Sequence, residues 1–193
     1  MAFARDPSRL YWHDKLMARV FLPLIPAWVT PNQITVVRFI GIPIVLYCLW
    51  RGWFGWGFGL FIFFSFTDAL DGSLARVRRM ITPWGTFYDP VADKILIVSV
   101  GLLSLVRSLH PVLIGLMIVI ELLILLGGLV MRRRGTLISA NIFGKIKMCL
   151  QVVAVALVLL FQITHLVWLL PLASVVLIAA IILATISLFT YGL

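Results

Sequence analysis

Residues 68–94 read DALDGSLARVRRMITPWGTFYDPVADK, and this segment constrains how the chain places its helices in a membrane. It holds four of the seven carboxylates of the 193-residue chain: Asp68, Asp71, Asp89 and Asp93. The chain as a whole is 63% hydrophobic and 12% charged, whereas a soluble domain is about 25% charged. We therefore predict an all-α integral membrane protein that gathers most of its few acids in one place.

Six apolar segments are predicted to form transmembrane helices, at about 34–50, 53–67, 95–106, 111–131, 146–163 and 166–188. Two of them are too short by themselves. Trp53–Phe66 has 14 residues and Ile95–Val106 has 12, while a span needs about 20. Both helices must therefore extend into the acidic segment that lies between them.

The extended helices place the acids at one edge of the membrane. The second helix has to continue through Asp68 and Asp71. The third has to begin before Asp89, and Thr82 with Pro83 offers an N-cap and a first helical position there. All four acids are then helical, on two helices joined by a short basic loop.

The basic residues predict the orientation. With six spans, 14 of the 16 lysines and arginines fall on one side, and only Arg51 and Arg107 fall opposite. That side is cytoplasmic by the positive-inside rule. We therefore predict a multi-pass protein with both termini and the acid cluster on the cytoplasmic face.

The N-terminal segment has a different character. Residues 1–28 place apolar side chains near helical spacing with basic residues between them, which predicts an amphipathic interfacial helix before a membrane domain over 29–193. An ordinary basic topology signal is the alternative. Asp6 and Asp14 argue against a mitochondrial transit peptide, so a prokaryotic inner membrane is favoured over the mitochondrial inner membrane.

The four acids indicate a metal site. Asp68 and Asp71 are spaced i,i+3 and Asp89 and Asp93 i,i+4, so each pair shares a helical face. Four converging carboxylates repel one another unless cations neutralise them. Mg²⁺ or Mn²⁺ prefers such oxygen ligands, and the segment has no His or Cys that would indicate zinc. Metals held by carboxylates beside an arginine are typical of phosphate chemistry.

Small residues accompany the acids. Gly72, Ala75 and Gly85 leave the helix surfaces bare where a nucleotide would approach. The alternative is that Gly72 and Ala75 form a helix-packing seam and that the acids are only solvated loop residues.

The segment resembles the signature of the CDP-alcohol phosphotransferase family, D-x2-D-G-x2-A-R-x8-G-x3-D-x3-D. All eight fixed positions are present over 26 residues: Asp68, Asp71, Gly72, Ala75, Arg76, Gly85, Asp89 and Asp93. The resemblance implies a homodimeric membrane enzyme of six helices that cleaves a CDP-linked donor and releases CMP.

The resemblance also implies roles. Two Mg²⁺ or Mn²⁺ ions would be held by Asp68, Asp71 and Asp89, and Asp93 would act as general base and as a possible further metal ligand. The small residues Gly72, Ala75 and Gly85 would admit the cytidine, and Arg76 would contact the diphosphate. Because no side chain in the segment is an obvious covalent nucleophile, direct in-line attack by the acceptor hydroxyl is favoured.

A second segment, TPNQITVVR at 30–38, resembles one common at the start of the first helix in this family. It assigns Asn32 and Arg38 to the donor site, although Thr30, Pro31 and Asn32 also make an ordinary helix opening. Arg38 lies inside a span, where a charge is costly and needs a partner. That partner is predicted to be a phosphate or one of the motif acids.

Two later features bear on the acceptor. YDPVADK and SANIFGKIKMCLQ (139–151) are similar to segments of phosphatidylglycerophosphate synthases. They suggest Lys145 and Lys147, with Arg132 and Arg133, as ligands of an acceptor phosphate. The alternative is a basic cluster that only sets topology. Glu121 lacks the arginine that usually precedes it in those synthases, and we expect it to pair with a basic residue inside the bundle.

The predicted function is transfer of a phosphatidyl group from CDP-diacylglycerol to an alcohol, with glycerol-3-phosphate as the preferred acceptor. Cardiolipin synthase, or another CDP-diacylglycerol-dependent phosphatidyltransferase, is the alternative. A cation transporter is the alternative from a different class, but it would distribute acids through the bilayer. Membrane lipid is an expected partner, and nucleic acid is not.

Overall fold

The computed structural model describes residues 17–106, 108–133 and 142–191. Within them a 3-10 helix, Leu22–Leu24, precedes six α-helices, which confirms the all-α prediction. In chain order these are α1 (Pro31–Trp50), α2 (Phe54–Val77), α3 (Pro83–Leu105), α4 (Pro111–Arg133), α5 (Ile142–Thr164) and α6 (Leu169–Tyr191). Most of the predicted interfacial helix over 1–28 lies outside the described residues. In the part of it that is described, residues 17–20 are helical.

Among the residues that the structure describes, four helices contain a stretch that is long and apolar enough to cross a membrane. These stretches are all of α1, all of α2, Ile146–Thr164 in α5 and Leu169–Phe189 in α6. The helices α3 and α4 are each 23 residues long, but α3 carries three charges in its first half and the apolar part described for α4 is shorter than a span. The chain is a multi-pass membrane protein, and crossing by all six helices stays a prediction.

The chain divides into two compact units, one of Arg5–Ser99 and one that contains Val100–Leu193. In the first unit α1 packs against α2. Small residues permit a close approach: a Cβ on Gly41 would overlap the ring of Phe64, and one on Gly57 would overlap the Leu49 side chain. These glycines let the two helices approach more closely than larger residues would.

The buried stripe of α1 changes from apolar to polar along the helix. Ile42, Val45 and Leu49 are buried, and the same i,i+3/i+4 spacing continues to the buried Thr35 and Arg38 near the N-terminal end. A helix presents such positions on one face. The polar end of this face is therefore aimed into the protein.

Side chains begin α1 as the sequence indicates. Thr30 Oγ1 accepts the N–H of Gln33 at 3.3 Å, and Gln33 Oε1 accepts the N–H of Thr30 at 2.8 Å. Pro31 is the first residue of α1, where a backbone N–H would have no partner within the helix, so its missing N–H costs nothing. This reciprocal capping holds Asn32 in the first turn of α1.

The start of α3 is also as predicted. Helix α2 includes both Asp68 and Asp71, and α3 begins at Pro83. The Oγ1 of Thr82 accepts the N–H of Gly85 at 3.0 Å, which satisfies one of the unpaired donors of a helix N-terminus. The extension of both helices into the acidic segment is therefore confirmed.

Arg78, at the end of α2, fastens the segment that leads into α1. Its guanidinium donates to the backbone carbonyls of Ile25 at 2.8 Å, Val29 at 3.1 Å and Pro26 at 3.2 Å. An arginine presents several donors in a fixed plane, so one side chain can hold several carbonyls. The contact sets where α1 begins relative to the basic loop after α2.

In the second unit α6 packs against both α5 and α4. The buried stripe of α6 is made of Leu169, Ala173, Leu177, Ala180 and Ala184. Three of these five side chains are alanine, which favours close helix packing in a membrane.

Candidate active site

Arg38 joins the two acids of α2. Its Nη1 donates to Asp68 Oδ1 at 2.9 Å and its Nη2 donates to Asp71 Oδ2 at 2.6 Å. The Arg38 and Asp71 side chains are 0% and 1% exposed, while Asp68 is 33% exposed. Two carboxylates one helical turn apart therefore converge on a single buried cation. Arg38 was predicted to pair with a phosphate or with a motif acid, and its observed partners are the acids Asp68 and Asp71.

Thr35 reaches a third acid from the same helix. Its Oγ1 donates to Asp89 Oδ1 at 2.6 Å, and it lies three residues before Arg38 on the buried face of α1. Phe39 of α1 and Tyr88 of α3 also pack edge to face, with ring centroids 6.5 Å apart. One polar helix end thus contacts three of the four motif acids.

Asp93, the predicted general base, follows Asp89 by one turn of α3. It is 3% exposed and its neighbour Ala92 is fully buried. A carboxylate in such surroundings has little bulk water around it. The spacing expected from the sequence is therefore kept, with Asp89 half-buried and Asp93 buried on one helix.

A cavity of about 170 Å³ lies beside the acids in the first unit. Its lining includes five residues that the sequence assigned to the donor, Asn32, Gly72, Ala75, Arg76 and Gly85, together with Thr82 and Asp89. The Thr82 hydroxyl donates to Asn32 Oδ1 at 2.9 Å, so a side chain of α1 and the N-cap of α3 close one wall. Arg38, also assigned to the donor, is not in the described lining.

Gly85 keeps this cavity open. A Cβ at Gly85 would lie 3.0 Å from Asn32 Oδ1, 3.2 Å from Thr82 Oγ1 and 3.3 Å from Asp89 Oδ2. At Gly72 the nearest atom would be Arg76 Nη1, at 3.5 Å, which is ordinary contact. Glycine is therefore needed for space at position 85 more than at position 72.

The predicted acceptor residues belong to the second unit. Lys147, 4% exposed, donates to Glu121 Oε1, and Gln151 Nε2 donates to the same oxygen at 2.9 Å. The expected basic partner of Glu121 is thus Lys147. Arg132 and Arg133 lie in the last turn of α4 and Lys145 near the start of α5, but their side chains lie outside the described part of the structure.

Comparison with known sequences decides the family. The sequence model for CDP-alcohol phosphatidyltransferase matches residues 28–188, most of the chain. The chain belongs to the CDP-alcohol phosphatidyltransferase family. It is therefore a transferase, and the resemblance seen in residues 68–93 holds over all six helices.

Three relatives show the range of this family. A "CDP-diacylglycerol--glycerol-3-phosphate 3-phosphatidyltransferase" of Bacillus subtilis is 34% identical over 179 residues, 83% of this chain and 92% of the relative. A "Probable phosphatidylglycerophosphate synthase" of Mycobacterium tuberculosis is 35% identical over 164 residues, 80% of this chain and 75% of the relative. A "Probable cardiolipin synthase (CMP-forming)" of Drosophila melanogaster is 34% identical over 104 residues, 53% of this chain and 32% of the relative.

The carboxylate oxygens of the motif acids in this transferase are suitable ligands for a divalent cation. Asp68, Asp71 and Asp89 supply hard oxygen ligands, and the first two already converge on one cationic side chain. The contacts with α1 use one oxygen of each carboxylate. Within the described residues, however, no three His, Cys, Asp or Glu side chains are grouped as a metal site. The chemistry fits Mg²⁺ or Mn²⁺, while Arg38 occupies the cationic position between the two acids of α2.

Sequence reasoning assigned no role to Thr35 or to the Thr82 side chain beyond its cap. Thr35 precedes Arg38 by three residues, so the two share a helical face, and this spacing is a usable signal. For Thr82 the signal is weaker, because its hydrogen bond to Asn32 spans 50 residues of sequence.

Proposed function

We propose that this enzyme transfers a phosphatidyl group from CDP-diacylglycerol to glycerol-3-phosphate and releases CMP. The observation that carries the proposal is the convergence of Asp68, Asp71 and Asp89 on the polar end of α1, beside a cavity lined by the small residues of the motif. The printed names of the Bacillus and Mycobacterium relatives support glycerol-3-phosphate as the acceptor.

The donor is assigned to the cavity. Gly72, Ala75 and Gly85 leave room for the cytidine, and Arg76 offers its guanidinium to the diphosphate. Asn32 and Thr82 hold the wall opposite Gly85. The sequence also assigned Arg38 to the donor, and its observed contacts instead favour a role toward the acids.

Asp68, Asp71 and Asp89 are proposed as ligands of two divalent cations, with Asp93 as a further ligand. When bound, these ions supply positive charge that stabilises the phosphoryl oxygens during transfer. Asp93 receives the proton of the acceptor hydroxyl. The hydroxyl oxygen bonds to the β-phosphorus of the donor as the bond from that phosphorus to the bridging oxygen of CMP breaks, and CMP leaves.

For the acceptor phosphate we propose Lys145, Lys147, Arg132 and Arg133. A cluster of cations attracts a doubly charged phosphate. The contact between Lys147 and Glu121 limits this role, because Lys147 has to exchange one anionic partner for another. This observation favours a second candidate, transfer to a hydroxyl of phosphatidylglycerol, which agrees with the name of the Drosophila relative.

We propose a cytoplasmic active site, six membrane crossings and a homodimer. The count of basic residues and the six long helices support the first two. The homodimer follows from family resemblance alone.

An acceptor panel tests the function. The purified full-length enzyme receives CDP-diacylglycerol and Mn²⁺, and CMP release is measured with glycerol-3-phosphate, phosphatidylglycerol, inositol phosphate or serine. The proposal expects release mainly with glycerol-3-phosphate. Release mainly with phosphatidylglycerol would replace it with cardiolipin synthesis, and release with neither would reject both acceptors.

A further inference from the structure

Asp68 and Asp71, two acids of one membrane helix, share the buried cation Arg38. Asp71 is 1% exposed, Asp68 is 33% exposed, and Arg38 bridges them from a fully buried position. A buried carboxylate with no partner is strongly destabilising, and so is the removal of one partner from a buried ion pair. Arg38 therefore holds these two acids close together on one cationic side chain without a metal.

We propose that Arg38 is an internal counter-cation with which a divalent cation competes for Asp68 and Asp71. The inference rests on the metal ligands named in the proposed function. It differs from a donor-binding role, since the described lining of the cavity does not include Arg38.

The contacts explain how exchange can begin. Arg38 bonds to Oδ1 of Asp68 and Oδ2 of Asp71, so each carboxylate keeps a second oxygen with which to meet an incoming ion. An ion of charge +2 at these oxygens repels the guanidinium a few ångströms away. Metal binding therefore includes the cost of displacing or crowding Arg38, and that cost weakens the apparent affinity.

A neutral residue at position 38 removes this cost and also removes the only described cationic partner of the two acids. The metal-free variant is then less stable than the wild type, while its affinity for the ion is higher. We expect the dissociation constant for Mn²⁺ to fall by about tenfold or more in Arg38→Gln, since loss of one nearby like charge is worth at least about one such factor. By linkage, saturating Mn²⁺ then raises Tm more in the variant than in the wild type.

The experiment uses the full-length protein in detergent, stripped with EDTA and titrated with MnCl₂. Tryptophan fluorescence gives Tm, and electron paramagnetic resonance of free Mn²⁺ gives the dissociation constant. Lys147→Met is the matched control, because it also removes a buried cation paired with an acid but belongs to the other compact unit. Arg38→Lys keeps a charge without the fork that bridges two carboxylates, and its Mn²⁺ affinity is expected between those of the wild type and Arg38→Gln.

The proposal expects tighter Mn²⁺ binding and a larger Mn²⁺-induced rise in Tm for Arg38→Gln, with no such change in the control. Unfolding of Arg38→Gln on chelation while the control survives also supports it. Weaker Mn²⁺ binding would make Arg38 a residue that positions the ligands, and an unchanged Mn²⁺ response would leave it a purely structural partner. Either result overturns this inference and leaves the proposed function untouched. No Mn²⁺ response in the wild type would instead reject the metal ligands and, with them, this inference.

Discussion

The buried contact between Lys147 and Glu121 separates two roles for Lys147 and yields a quantitative prediction. Both side chains are less than a tenth exposed, at 4% and 8%, and Gln151 donates to the same carboxylate oxygen. Lys147→Met leaves the Glu121 carboxyl group buried without the ammonium that it pairs with, so we expect a loss of about 3–5 kcal/mol in the free energy of unfolding. Glu121→Gln alone is expected to cost a similar amount, since it leaves the ammonium buried.

The double variant, Glu121→Gln with Lys147→Met, removes both charges. Replacement of a buried ion pair by neutral groups is close to neutral, so the double variant should recover most of the stability. The resulting coupling of about 3 kcal/mol or more is well above the ~0.6 kcal/mol average for hydrogen bonds between membrane helices. Unfolding by SDS in mixed micelles, followed by tryptophan fluorescence, measures all four proteins. Losses that simply add, within about 0.5 kcal/mol, would refute the buried pair.

The same variants test the acceptor site. If Lys147 also binds the acceptor phosphate, the double variant has recovered its stability but not its activity. Its kcat/KM for glycerol-3-phosphate is then lower than that of the wild type by about tenfold to over a hundredfold. If Lys147 serves only the ion pair, activity recovers with stability. In both cases the apparent affinity for CDP-diacylglycerol is expected to stay near that of the wild type, and a large change there would contradict the division of the sites.

Three further predictions concern the first unit. Activity lost in EDTA should return with Mg²⁺ or Mn²⁺ but not with Ca²⁺, whose longer and looser coordination misplaces the diphosphate; full activity in excess chelator would reject the metals. Asp71→Asn should lose both turnover and donor binding, whereas Asp93→Asn should lose turnover and keep most donor binding; equal losses of donor affinity would contradict the separate roles. Gly85→Ala should raise the donor KM by about tenfold or more, because the added Cβ lies 3.0 Å from Asn32 Oδ1. Gly72→Ala should change the donor KM little, because its Cβ lies 3.5 Å from a flexible arginine. Similar KM values for both variants would show that the cavity does not hold the donor.

Much of the fold follows from local features of the chain. Hydropathy and the length that a span requires predict the extension of α2 through Asp68 and Asp71, and proline with a threonine cap predicts the start of α3 at Pro83. These features depend on residues within a single helix or its N-cap. The spacing of the motif acids is likewise local, and the family match over 28–188 agrees with the resemblance read from it.

The partners of the charged side chains depend instead on contacts across long stretches of sequence. From the sequence, Arg38 is suited to a phosphate or to a motif acid. Lys147 is assigned to an acceptor phosphate or to a topology cluster, and Glu121 is expected to pair with a basic residue that the sequence does not identify. The packing of α1 against α2, which Gly41 and Gly57 make close, brings Arg38 to Asp68 and Asp71, and the rotation of α1 turns Thr35 toward Asp89. A side chain selects its partner by the distance and burial that helix packing creates, and residues 26 to 54 positions apart meet only in the folded chain.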